Sequence, residues 1–93
     1  MLFRSFAEES NNKEILDAIL LLAQTEGIFT EPAGGVSVAV LKKMIDDGKI
    51  DKNDTTVCYV TGNGLKTTES IMGVLAKPEI MKADVAKIAA VVK

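Results

Sequence analysis

A run of apolar and β-branched residues, Thr55 to Val60, constrains the fold of this chain more than any other stretch. Its composition is typical of a strand buried within an α/β sheet. A buried parallel strand needs hydrogen-bonding neighbours on both edges. The sequence offers one further candidate, a short extended piece from Ile28 to Thr30. We therefore expect an incomplete piece of an α/β fold, whose strand lacks most of its sheet.

Apolar residues at helical spacing predict about four helices around these strands. The first has a capping-box spacing at Asn11 and Glu14. The predicted helices run from the Asn11 cap to Gly27, from Pro32 to Gly48, from about Thr67 to Leu75, and from Pro78 onward. Their main predicted buried faces are Ile15, Ala18, Ile19, Leu22 and Ala23 in the first and Val36, Val40, Leu41, Met44 and Ile45 in the second. No composition change marks a domain boundary, so residues 1–93 are predicted to form a single domain segment.

The predicted strand ends in a hydroxyl residue and a glycine turn, Thr61-Gly62-Asn63-Gly64. In open α/β sheets, small molecules bind just beyond the carboxyl ends of strands. Thr61 would place a neutral hydroxyl at that edge, and the two glycines would permit positive φ angles and the close approach of a flat ligand. The same layout is also how any βα unit changes direction, so both interpretations stay open.

A second segment of interest, Glu31 to Gly35, opens the second predicted helix. The Glu31 carboxylate is suited to stabilise the helix N-terminus, and it is also suited to face a ligand or cation in a cleft. Gly34 and Gly35 permit either tight packing of the helix start against a strand or a close approach of the backbone to a cofactor. Both alternatives stay open at each position.

Charge and hydropathy exclude several partners. Eleven basic residues against 13 acidic ones give a net charge of −2, and no basic stripe is present, so nucleic acid is not expected as a partner. No apolar stretch approaches the roughly 20 residues that cross a bilayer, so no membrane partner is expected. Met1 to Ser10 lacks the features of a signal peptide, and a cytoplasmic location is predicted.

The inventory of reactive side chains is small. Without histidine, the common zinc sets and histidine-dependent catalytic arrangements are excluded within this sequence. Cys58 is the single cysteine and is expected to be a buried thiol of the predicted strand. Polar mixed charge between Gly48 and Asp54 indicates a solvated turn, so no metal site is predicted.

The segments Glu26 to Val36 and Val60 to Lys66 together resemble the C-terminal part of threonine synthases. These are pyridoxal-phosphate enzymes related to tryptophan synthase β-chains and to serine and threonine dehydratases. The resemblance runs from about Asn12 to Ser70. It implies a fragment of the three-layer αβα fold of fold-type-II pyridoxal-phosphate enzymes, a C-terminal segment of the cofactor-binding domain whose missing strands lie upstream in the relatives.

The resemblance also implies a reaction and a site. Threonine synthases convert O-phosphohomoserine and water to threonine and phosphate with pyridoxal phosphate. In the family, a hydroxyl at the position of Thr61 hydrogen-bonds the pyridine nitrogen of the cofactor. The residues implied to hold that hydroxyl are Gly62, Asn63 and Gly64, and those implied to lie near the ring or its access channel are Glu31, Gly34 and Gly35.

Two essential parts of the family's site are absent from the matching segment. The Schiff-base lysine and the phosphate cradle lie upstream in the relatives, and Lys66 is not a substitute, so the isolated chain is expected to be inactive. A serine or threonine dehydratase segment is the nearest alternative. A non-catalytic helical interaction module is another, and in either case we expect homo-oligomers or association through an exposed sheet edge.

Overall fold

A computed structural model describes residues 6–92 of the chain. In chain order it contains helix α1 (Asn12–Glu26), helix α2 (Pro32–Asp46), a short 3₁₀ helix (Gly64–Ser70) and helix α3 (Val85–Val91). Helices α1 and α2 pack against each other, and the 3₁₀ helix contacts α2. These contacts position the two segments that the sequence singled out.

Helix α1 begins and ends where the sequence predicts. The Asn11 Oδ1 atom accepts a hydrogen bond from the Glu14 N–H at 2.9 Å, and a Glu14 carboxylate oxygen accepts from the Asn11 N–H at 3.3 Å. At the other end, Gly27 has a left-handed φ of 68°, and its N–H donates to the Ala23 carbonyl. The capping box and the terminal glycine are both confirmed.

Helix α2 also has its predicted bounds to within two residues. Pro32 occupies the first turn, where a missing N–H costs no hydrogen bond. The helix ends at Asp46, and Gly48 follows with a φ of 73°. The prediction of a helix from Pro32 to Gly48 is therefore confirmed.

The contact between α1 and α2 is made by small residues of α2. A methyl group built on Gly35 would lie 2.8 Å from Ile19 Cγ1 and 3.0 Å from the Ile15 carbonyl oxygen. Ala18, Ile19 and Ala39 are buried in the same part of the structure. The absence of a side chain at Gly35 lets the two helices approach closely.

The prediction of which residues form the buried face of α2 is wrong in part. Val36 is 37% exposed and Ile45 is 50% exposed, whereas Gly34, Gly35 and Ala39 are buried. The apolar spacing identified the large side chains of α2, but it did not identify the residues that contact α1. Those residues are small, because small residues let the two helices pack closely. The other large residues of this face are half-buried and line a cavity with residues 56–59: Val40, Leu41 and Met44.

An ion pair on the surface joins the start of α1 to the last turns of α2. The Lys43 ammonium lies 2.7 Å from a Glu14 carboxylate oxygen and donates to the Glu9 carbonyl at 2.6 Å. The hydrogen bond from Lys43 lowers the pKa of Glu14, and the same bond raises the pKa of Lys43. Glu14 thus serves the capping box and the helix pair together.

The predicted strand is not formed. Within residues 6–92 the single β pairing is an isolated antiparallel bridge between Thr30 and Asn63. Val57 and Tyr59 in the predicted strand are 74% and 76% exposed, and Cys58 is half-buried instead of buried. A strand exists through its hydrogen-bonded neighbours, and the described residues supply none for residues 55–60. The αβα layering, with one clear and one short strand, is therefore not formed by these residues.

The C-terminal helices differ from the prediction as well. The predicted helix from Thr67 to Leu75 is replaced by the 3₁₀ helix Gly64–Ser70, which is interrupted at Thr67. Helix α3 begins at Val85 and not at Pro78, and the Asp84 carboxylate caps it by accepting from the N–H groups of Ala86 and Lys87. Short helices are marginal without packing partners. Here the apolar side chains of this region, such as that of Val85 at 85%, remain exposed.

The chain as a whole is open. Its radius of gyration is 18.0 Å, whereas a compact domain of this length has about 12 Å. Its accessible surface is 7711 Å², against about 5,200 Å² for a folded monomer of this mass. Much apolar surface that a compact domain would bury is therefore available to a partner. No helix among residues 6–92 is long and apolar enough to cross a membrane.

The Gly35 contact gives a test of the helix pair. We expect Gly35→Ala to lower the free energy of unfolding by about 1 kcal/mol, since overpacking against the Ile15 carbonyl outweighs the higher helix propensity of alanine. Gly73→Ala is the matched control, because a methyl group there meets no atom within 4 Å. Urea denaturation of both variants measures the difference, and a Gly35→Ala variant as stable as the control would contradict the packing account.

Candidate functional site

Two backbone hydrogen bonds bring the two segments of interest together. The Glu31 N–H donates to the Gly62 carbonyl at 3.1 Å, and the Gly64 N–H donates to the Phe29 carbonyl at 3.0 Å. Together they form the antiparallel bridge at Thr30 and Asn63. The Thr61 loop, residues 61–64, is thereby tied to the entrance of α2. The structure thus brings Glu31 into contact with the loop, as the resemblance implies for a shared site.

Thr30 lies at the centre of this junction. Its side chain is 1% exposed, and its hydroxyl lies 3.1 Å from the Gly62 carbonyl oxygen and 3.1 Å from the Glu31 carbonyl oxygen. Sequence reasoning missed this residue as a site component. The available signal was its position, because Thr30 is a β-branched hydroxyl residue four positions before Gly34. The Thr30 side chain contacts Gly34.

The glycines of α2 are used for packing. A methyl group on Gly34 would overlap the Thr30 hydroxyl, and one on Gly35 would press on α1. The packing interpretation therefore accounts for both residues, although the contacts are a side chain and a helix, not a strand. A role for either glycine beside a cofactor stays a prediction.

The glycines of the Thr61 loop are also needed for close approach, but their φ angles differ from the prediction. Among the described residues, positive φ occurs at Gly27 and Gly48 and not at Gly62 or Gly64. A methyl group on Gly62 would overlap the Glu31 carboxylate, and one on Gly64 would overlap the Phe29 ring. The loop thus lies directly against two side chains of the Phe29–Glu31 segment.

Asn63 organises the end of the loop. Its side-chain oxygen accepts a hydrogen bond from the Leu65 N–H at 2.8 Å and so caps the 3₁₀ helix. The bridge and this cap together hold the backbone of the loop from Gly62 onward. Asn63 therefore acts through the shape of the turn.

The two polar side chains beside the loop have different environments. The Glu31 side chain makes no capping hydrogen bond to α2, and its carboxylate lies against Gly62. Stabilisation of the helix N-terminus by the charge of this carboxylate stays a prediction. The Thr61 side chain is exposed. Thr61, whose hydroxyl both donates and accepts hydrogen bonds, thus directly precedes the anchored Gly62, against which the Glu31 carboxylate lies. That arrangement is suited to an uncharged polar contact with a ligand.

Within residues 6–92, no group of three or more histidine, cysteine, aspartate or glutamate side chains is arranged to hold an ion. Lys66 follows the loop and is exposed.

Comparison with known proteins identifies the family. Residues 4–62 match the family described as pyridoxal-phosphate dependent enzyme, a range that includes Glu31 and the loop as far as Gly62. The chain belongs to this family of pyridoxal-phosphate enzymes. Pyridoxal phosphate is accordingly the cofactor of the complete enzymes that contain such a segment.

Several relatives within the family are threonine synthases. That of Halalkalibacterium halodurans is 45% identical over 78 residues, which are 83% of this chain and 22% of the relative. That of Methanocaldococcus jannaschii is 40% identical over 79 residues, 85% of this chain and 20% of the relative. That of Mycobacterium tuberculosis H37Rv is 48% identical over 63 residues, 68% of this chain and 18% of the relative.

These matches confirm the resemblance to part of a threonine synthase. The chain spans about a fifth of the length of the curated relatives that it matches. Such partial coverage agrees with the open surface and with the unpaired segment 55–60.

The two loop glycines should respond differently to substitution. We expect Gly64→Ala to open the Thr30–Asn63 bridge about tenfold more often, because the added methyl overlaps the half-buried Phe29 ring. Gly62→Ala should have a smaller effect, since the Glu31 carboxylate is the far end of a flexible side chain. Amide hydrogen exchange at positions 31 and 64 measures the opening. Equal exchange rates in the two variants would contradict this assignment of contacts.

Proposed function

We propose that this chain is a C-terminal segment of the cofactor-binding domain of a threonine synthase. The complete enzyme would convert O-phosphohomoserine and water to threonine and phosphate. The observation that carries the proposal is the exposed Thr61 hydroxyl on a loop that the Thr30–Asn63 bridge anchors. Identities of 40–48% to threonine synthases over most of the chain support the choice of reaction.

Thr61 would hold the ring nitrogen of pyridoxal phosphate. When bound, the cofactor supplies an electron sink for carbanion charge at the substrate. A hydroxyl partner is neutral, so it does not enforce protonation of the ring nitrogen as an aspartate would, and it moderates how much charge the ring absorbs. The exposed hydroxyl fits this role because one donor is enough for the single acceptor nitrogen.

The other candidate residues would support that contact. Gly62, Asn63 and Gly64 would keep the loop in the shape that presents Thr61. The Glu31 carboxylate, which lies against Gly62, would be close to the ring or its access channel. Gly34 and Gly35, which lie near the start of α2 and follow Glu31 in the chain, complete the proposed cofactor-binding set.

We propose that the chain is inactive by itself. In the family, the Schiff-base lysine and the phosphate cradle come from upstream segments. The extended residues 55–60, with Val57 and Tyr59 largely exposed, would become a sheet strand when upstream strands pair with them. In their absence, the same apolar edge would favour self-association.

An exchange of segments tests the proposed function. We expect a chimaera, in which the matching 78-residue segment of this chain replaces its counterpart in the Halalkalibacterium halodurans threonine synthase, to bind pyridoxal phosphate and release phosphate from O-phosphohomoserine. In that chimaera, Thr61→Ala should weaken cofactor binding about tenfold, through the loss of one hydrogen bond, and should lower turnover. Cofactor titration and phosphate release measure both effects.

Thr68→Ala is the matched control, because Thr68 is an exposed threonine seven positions along the chain. A Thr61→Ala variant that behaves like this control would refute the ring-nitrogen assignment. A chimaera that fails to fold or to bind the cofactor would refute the equivalence of the segments. The same exchange into a threonine dehydratase addresses the alternative: activity in that host alone would move the assignment to the dehydratases.

A further inference from the structure

We propose that Thr30 is a positioning residue for the cofactor contact: its buried hydroxyl holds the Gly62 carbonyl and thereby sets the place of Thr61. The inference rests on the proposed function, since it concerns the loop that would receive the pyridine ring. Thr30 itself is 1% exposed and would touch neither cofactor nor substrate. Its effect on the site passes through the backbone of the next loop.

The geometry places one hydroxyl between two structural elements. Thr30 Oγ1 lies 3.1 Å from the Gly62 carbonyl oxygen in the loop and 3.1 Å from the Glu31 carbonyl oxygen at the start of α2. The Glu31 carbonyl also accepts the Gly35 N–H, and the Gly62 carbonyl also accepts the Glu31 N–H. The hydroxyl therefore links the first hydrogen bond of α2 to the residue that follows Thr61.

The surroundings leave the Thr30 side chain little freedom. A methyl group on Gly34 would overlap the Thr30 hydroxyl, so the glycine provides the space in which the hydroxyl sits. The side chain is 1% exposed, so a change of rotamer would take place within a close-packed interior. Gly34 and Thr30 thus act as a pair, and the carbonyl that they hold is adjacent to Thr61.

Removal of the hydroxyl without a change of shape isolates its role. Thr30→Val replaces the hydroxyl by a methyl group and leaves the Gly62 carbonyl with one partner fewer. Thr30→Ser keeps the hydroxyl and removes the methyl group. Ile19→Val is a matched core control, because Ile19 is the other large buried side chain and lies in the contact between α1 and α2.

The experiment uses the chimaera described above, with pyridoxal phosphate added to the apoenzyme. We expect Thr30→Val to raise the Kd for pyridoxal phosphate roughly 2- to 12-fold, the range that one net hydrogen bond corresponds to, and to shift the absorption band of the bound cofactor. Thr30→Ser should retain the parental Kd and absorption band, even though its Tm falls as that of Ile19→Val does. This split separates positioning from simple loss of stability.

Three results would overturn the inference. The first is a Thr30→Val variant whose Kd and spectrum equal those of Ile19→Val. The second is a Thr30→Ser variant with a raised Kd, which would assign the effect to packing by the methyl group. If Thr30→Val does not fold, a raised Kd in Thr30→Ser still overturns the inference. The third is unchanged amide exchange at positions 31 and 64 when Thr30→Val is made in the 93-residue chain.

Thr61→Ala in the same chimaera separates this inference from the proposed function. An unchanged Kd in Thr61→Ala would remove the proposed role of the loop itself. A raised Kd in Thr61→Ala together with a parental Kd in Thr30→Val would leave that role intact and would reject the role of Thr30 alone.

Discussion

The pair of backbone hydrogen bonds between Phe29–Glu31 and Gly62–Gly64 is the interaction on which the rest of the site depends. The bridge ties the loop that carries Thr61 to the α1–α2 pair, which is the best packed part of residues 6–92. Several side chains make the bridge possible by fitting around it. Glycine at positions 34, 62 and 64 leaves room for Thr30, Glu31 and Phe29, respectively.

A second constraint follows from surface area. The chain exposes far more surface than a folded monomer of its mass, and among residues 6–92 the most exposed of the large apolar side chains lie after residue 56. The family relation gives this surface a physical meaning, because residues that form a central strand need neighbours on both sides. In a complete cofactor domain, the apolar residues that are exposed in the isolated chain would lie in the interior.

Sequence reasoning succeeded where structure is local. The Asn11 capping box, Gly27 and Pro32 specify the bounds of α1 and α2 through neighbouring residues, and these predictions are confirmed. It failed where structure depends on distant partners. Residues 55–60 have the composition of a strand, yet a strand forms only when another strand is present to pair with it.

The candidate site shows the same division. The segments around Glu31 and Thr61 were identifiable because glycines and polar residues stand out at the ends of apolar runs. The role of Thr30 was missed, since its spacing from Gly34 is the only local signal and its hydroxyl bonds a carbonyl 32 positions away. The contact of the Glu31 carboxylate with Gly62 was hidden for a similar reason, because the two residues are 31 positions apart in the chain.

The most direct test of the account is a crystal structure of the threonine synthase chimaera with pyridoxal phosphate bound. The account predicts that Thr61 Oγ1 lies within about 2.7–3.2 Å of the pyridine nitrogen, with the Thr30–Asn63 bridge intact and residues 55–60 paired in a parallel sheet. A pyridine nitrogen held by another residue, or a loop released from Thr30 when the cofactor is bound, would contradict it.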